Sequence, residues 1–107
     1  MQNIFQQTIK KSVDFNGVGL HSGKISSVRL IPAPENQGII FKRTDIKKEN
    51  IIKADYKNVT SAKLCTTLEN HSGIKVSTVE HLLAAFYIVG VDNVIVEIDN
   101  EEVPIMD

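Results

Sequence analysis

The sequence predicts an α+β domain, a mainly antiparallel sheet packed on one main helix. Three observations carry that expectation. Short β-rich runs bounded by Gly, Pro and Asn recur along the chain, and one segment around residue 82 has apolar residues at helical spacing. No internal repeat, low-complexity tract or Gly/Ser/Pro linker divides the 107 residues, so they read as one unit.

An opening pair of strands is expected at residues 7–13 and 24–31, the second with Ile25 and Leu30 among polar residues. Asn16-Gly17-Val18-Gly19 supplies turn chemistry between them. Pro32-Ala33-Pro34 with Asn36 and Gly38 reads as a loop, because proline removes ladder donors and Asn and Gly tolerate positive φ. Residues 38–43 resume as a strand. The charged stretch 44–58 is expected to be mostly loop, with a short extended piece near residues 57–59. Residues 64–68 read as either a strand or an ordered loop, closed by a turn at His71-Ser72-Gly73.

The helix is expected over residues 76–89, where Val79, Leu82, Leu83, Phe86 and Val89 form a stripe. Ser77-Thr78-Val79-Glu80 has the form of a capping box, and Gly90 supplies the stop. Residues 94–98 and 101–105 then suggest two strands joined by a tight turn at Asp99-Asn100. Ala84, Ile88 and Val91 lie off the helical stripe, so this helix needs cover on two faces. A sheet within the chain covers one; nothing else in it is left to cover the other.

Lys and Arg number 12 against 13 Asp and Glu, and basic residues run no longer than pairs such as Lys42-Arg43 and Lys47-Lys48, which argues against nucleic acid as a partner. The apolar stretch from Leu82 to Val91 is shorter than the ~20 residues a membrane-spanning helix needs. The first fifteen residues lack the apolar core of a secretory signal, and the lone Cys65 suits a reducing compartment, so a cytoplasmic location is expected.

Glu80-His81 is the pair that stands out for chemistry: a carboxylate beside an imidazole near a helix start can provide a general base and a metal ligand. Helix neighbours point ~100° apart, so the two share a site only beside the helix end. Amide dipoles there disfavour the imidazolium, and metal binding requires the neutral ring. The plainer alternative is that Glu80 completes the capping box and His81 is a polar residue of the first turn. Gly17-Val18-Gly19-Leu20-His21-Ser22-Gly23 fits neither a dinucleotide fingerprint nor a P-loop and reads as a turn exposing His21. His71 reads as a solvated loop residue. His21, Cys65 and His81 could together supply the three ligands of a catalytic zinc site, but no short-spaced ligand pair joins them.

Seven motifs together resemble one family. They are the Gly17–Gly23 stretch, Pro32-Ala33-Pro34, Phe41-Lys42-Arg43-Thr44-Asp45, Leu64-Cys65-Thr66, Ser77-Thr78-Val79-Glu80-His81-Leu82-Leu83-Ala84-Ala85, Gly90-Val91-Asp92-Asn93 and Val103-Pro104-Ile105-Met106-Asp107. Their order and approximate spacing are similar to those of the UDP-3-O-acyl-N-acetylglucosamine deacetylases of lipid A biosynthesis. The resemblance implies that residues 1–107 correspond to most of the first of two similar domains, ending before the family's second helix and second domain. It implies a zinc ion with His81 as a ligand, Glu80 as the general base, and Leu64, Cys65 and His21 near the substrate. The other zinc ligands and a general-acid histidine would come from the missing C-terminal domain, which also becomes the partner of the second helix face. The implied reaction is hydrolysis of the N-acetyl group of UDP-3-O-(3-hydroxyacyl)-N-acetylglucosamine to acetate and a free amine in the Gram-negative cytoplasm, with the 107 residues alone inactive. A different function also fits: a non-catalytic half-domain that binds a partner or a second copy of itself through its apolar helix face.

Overall fold

The computed structural model describes residues 5–61 and 65–105. Strand β1 (Val13–Val18) forms a hairpin with β2 (Ile25–Pro32), and β3 (Ile39–Arg43) forms a second with β4 (Ile51–Lys53). A single 3-10 turn at Tyr56–Asn58 leads into β5 (Val59–Ser61), β6 (Thr67–Glu69) and β7 (Lys75–Ser77). These three make a small antiparallel sheet. Helix α1 (Glu80–Val89) follows, and the chain returns as β8 (Val94–Ile98).

Strand β8 lies at the centre of the five-stranded sheet, whose order is β1-β2-β8-β3-β4. It pairs antiparallel with β2, Leu30 opposite Val96, and parallel with β3, Phe41 opposite Val96. Alternation along β8 sends Val94, Val96 and Ile98 to one face, where all three are fully buried, while Ile95 and Glu97 take the other. The inward face meets Val28, Phe41 and Ile52 from the neighbouring strands, Leu68 and Val76 from the small sheet, and Leu82 and Phe86 from α1. The α+β architecture, mostly antiparallel around one helix, is the one the residue pattern predicts.

Four local expectations are corrected. The first strand begins at Val13 and runs through Asn16, Gly17 and Val18, so the turn falls later, at residues 20–22. Residues 7–8 form a tie to the far end of α1 instead: the Gln7 amide donates to Asp92 and the Thr8 hydroxyl to the Asn93 carbonyl. The charged stretch 44–58 contains β4, because Ile52 is apolar enough to be drawn wholly into the core. Residues 101–105 form no strand; their one ladder contact is a parallel bridge between Glu102 and Ser77.

The fourth correction moves the helix start from residue 76 to Glu80. The β-branched Val76 favours extended backbone, and residues 75–77 pair as a strand instead. No capping box forms: the N-cap is Val79, without a side-chain cap bond. The helix stop is as expected, Gly90 adopting φ 82° with its amide donating to the Phe86 and Tyr87 carbonyls. Ala84 and Ile88 face solvent as the two-sided pattern requires, but Val91 packs on the core. Val89, assigned to the buried stripe, is exposed.

Candidate active site

Glu80 and His81 occupy the first turn of α1, and the turn is reached through an unusual backbone step. Thr78, between β7 and the helix, has φ 60°, a left-handed conformation that a β-branched residue rarely adopts. Its hydroxyl donates to the Glu102 carboxylate at 2.7 Å. The half-buried Glu80 carboxylate accepts from the Thr66 amide, at 3.3 and 3.4 Å to its two oxygens. The Thr66 carbonyl in turn accepts from the Val79 amide at 3.3 Å. Thr66 therefore bridges both sides of the helix start, and half-buried Cys65 is its immediate neighbour.

His81 is exposed and lines a pocket of about 290 Å³ with Leu20, Thr78, Val103, Pro104 and Ile105. The walls other than His81 and Thr78 are apolar. His21 sits on the same loop as Leu20 but lines a different cleft, a polar one of about 530 Å³ that it shares with Arg43, Asp45 and Glu102. Leu64 lies outside the described residues. The structure thus sets Thr66 against Glu80 and aims His81 into an apolar pocket, while the side chain of His21 is turned to a separate space. Among the described residues, no three His, Cys, Asp or Glu side chains gather closely enough to hold a metal ion. A site built from His21, Cys65 and His81 together is therefore not present.

Sequence reasoning missed Glu102 and Arg43. Glu102 is 3% exposed, yet its carboxylate accepts from the Ser22 amide at 2.7 Å and the His21 amide at 3.1 and 3.2 Å, besides Thr78. Burial pushes this carboxyl's pKa upward, but the hydrogen bonds from Thr78, Ser22 and His21 outweigh it and hold the value at about 2. Gly19 belongs to the same arrangement, since a Cβ there would collide with the Glu102 carboxylate. The sequence signal for Glu102 was slight: one carboxylate leading into the apolar Val103-Pro104-Ile105. Arg43, read from the sequence only as half of the short basic pair Lys42-Arg43, is buried, binds Asp45 through two nitrogens and donates to the Lys75 carbonyl at 2.7 Å. The Arg43 guanidinium keeps the Asp45 carboxyl below its usual range.

Residues 6–107 match the family model described as UDP-3-O-acyl N-acetylglycosamine deacetylase. The chain is similar to UDP-3-O-acyl-N-acetylglucosamine deacetylases of Shewanella denitrificans (47% identical over 104 residues), Wigglesworthia glossinidia brevipalpis (48%) and Tolumonas auensis (49%). Each alignment covers 97% of this chain but only 34–35% of the relative, so the chain spans about a third of the length of the curated relatives it matches. A match that runs from residue 6 to residue 107, together with nearly half-identical relatives, shows that this chain belongs to the UDP-3-O-acyl N-acetylglycosamine deacetylase family.

Proposed function

We propose that this chain supplies the Glu80–His81 part of the active site of a cytoplasmic, zinc-dependent deacetylase acting on UDP-3-O-acyl-N-acetylglucosamine in lipid A biosynthesis. The observation that carries the proposal is the placement of a carboxylate and an imidazole in one helix turn beside a pocket, in a chain of this family. The donor set fits zinc as one ligand of several: His81 is exposed and faces the pocket, and the remaining donors would come from residues outside the matched third of the relatives. Bound there, zinc would act as a Lewis acid on the amide carbonyl and make water acidic enough to lose a proton near neutral pH.

Glu80 has the chemistry of the base. Among the described residues its carboxylate is engaged by one amide donor through two long bonds, a geometry in which lone pairs remain to take a proton from the attacking water. Water adds to the acetamide carbonyl carbon as Glu80 takes one of its protons, the C–N bond breaks as the amine nitrogen gains a proton, and acetate and the protonated sugar amine are released. Cys65, Leu64 and His21 are assigned to the surroundings of the substrate, His21 through its separate polar cleft. The exposed apolar face of α1 is covered, on this reading, by the remainder of the enzyme. Among the described residues no helix is long and apolar enough to cross a membrane.

In the full-length enzyme Glu80→Ala is expected to lower kcat by roughly 10²–10⁴-fold while zinc stays bound, because a general base is not a ligand. His81→Ala is expected to release zinc. Metal analysis beside the rates checks both, and loss of zinc from the Glu80 variant with retention in the His81 variant would reverse the two roles.

A further inference from the structure

We propose that Glu102 is a positioning residue for Glu80 and His81: its carboxylate holds Thr78 in the left-handed backbone conformation that turns the chain from β7 into the first turn of α1. The inference rests on the roles given to Glu80 and His81 above.

Among the described residues, three non-glycine positions have positive φ, and two of them, Asn36 and Glu49, are exposed. Thr78 is the third, and it is buried. Backbone strain at a buried β-branched residue persists only where its surroundings over-determine it. Here the restraints are explicit. Ser77 donates to the Glu101 carbonyl at 2.8 Å and accepts from the Val103 amide at 3.0 Å, Val79 donates to Thr66, and the Thr78 hydroxyl is tied to Glu102.

Glu102 does this as an acceptor shared by Thr78 and the His21–Ser22 amides. Among the described residues no cation forms a salt bridge with it. A buried charge compensated only by neutral donors is an expensive way to fill space, and an apolar side chain would serve packing better. What the carboxylate adds is direction. One oxygen takes the Ser22 amide at 2.7 Å and the other takes the Thr78 hydroxyl at 2.7 Å, so the loop carrying Leu20 and His21 and the turn carrying Thr78 are fixed against the same group. The Glu102 carbonyl is itself pinned by the Ser26 hydroxyl at 2.9 Å, which anchors the group to β2. If Thr78 relaxed to a right-handed φ near −60°, every residue after it would be re-aimed, Glu80 and His81 first. Misplacing a reacting group by about 1 Å can lower a rate about 10²-fold.

The test compares kcat, KM and zinc content in full-length Glu102→Ala, Glu102→Ala/Thr78→Gly and Glu80→Ala. Glu102→Ala is expected to lower kcat by roughly 10–100-fold, and to raise KM as well, because the loop carrying His21 loses the same anchor. Glycine takes φ near 60° without steric penalty, so adding Thr78→Gly should restore kcat by about 5-fold or more. A purely structural role for Glu102 gives the opposite result, since glycine adds flexibility to an already weakened fold. The proposal is overturned if kcat of Glu102→Ala stays within about 2-fold of the parent, or if the double variant is no more active than the single one. Should Glu102→Ala give no soluble enzyme, Thr78→Val decides: it removes the hydroxyl bond and keeps the β-branched shape, and an unchanged kcat overturns the proposal. Activity surviving in Glu80→Ala sinks the reading beneath as well, whereas an inactive Glu80→Ala beside an indifferent Glu102→Ala sinks the positioning role alone.

Discussion

At its first turn α1 is tied by hydrogen bonds to the segment before β6 and, through Thr78, to Glu102, whereas its last turn presents Tyr87, Ile88 and Val89 at 87%, 78% and 72% exposure. Between the two, Leu82 and Phe86 are the side chains that anchor the helix in the core. The difference separates two tasks. The end with Glu80 and His81 is fixed by directional bonds within the chain, which is what a reacting pair requires. The other end has the character of a surface that buries itself elsewhere, since contiguous exposed apolar groups mark interfaces.

The largest effect should come from the middle of the helix, on which both ends depend. Phe86→Ala removes a 4%-exposed ring, and urea unfolding of this chain should show a loss of about 3–5 kcal/mol. A loss below about 1 kcal/mol would mean that the hydrogen-bonded first turn holds α1 unaided.

Next comes the polar end. The Glu102 carboxyl lies near 2 in the folded chain against an ordinary 4.5, a depressed value, so its contribution is complete above about pH 4.5 and is lost as pH falls toward 2. The size is roughly 3 kcal/mol at neutral pH. Urea midpoints of Glu102→Gln should fall below the parent's at pH 7 and converge with them toward pH 2; parallel curves across that window would remove the linkage. The smallest effect belongs to the exposed end. Ile88→Gln should change stability by less than about 0.5 kcal/mol while reducing self-association of this chain in light scattering. A clear drop in stability would show that the last turn is already covered.

The sequence made the same division in advance. The apolar framework was legible because its signals are local: β-rich runs bounded by turn residues placed strands at residues 24–31, 38–43 and 94–98, and helical spacing with Gly90 placed the body and end of α1. The exposed Ala84 and Ile88 were legible from the same spacing. The polar junction was not. Ser77-x-x-Glu80 satisfies the local rule for a capping box, yet the Glu80 carboxylate goes to Thr66, 14 residues earlier, and Thr78 is held by Glu102, 24 residues later. A window of one or two turns contains neither partner. Strand β4 escaped for a different reason: Ile52 is a lone buried residue in a charged stretch, and a three-residue strand leaves no period to detect.

The place of β8 in the sheet also governs when the fold can come into being. Among the described residues it is the latest strand in sequence and the central one of five, so the β1–β2 and β3–β4 hairpins have no common partner until it arrives. On a ribosome adding about 5–20 residues per second, both hairpins wait several seconds with unpaired inner edges after Arg43 has been made. Open edges of this kind invite pairing with other nascent chains. The Arg43 side chain, turned back onto Asp45 at the end of β3, and Lys42 beside it put charge on one of the two strands that must wait. Closure by a late central strand makes the core an all-or-none event, and with it the support on which the reacting turn of α1 stands.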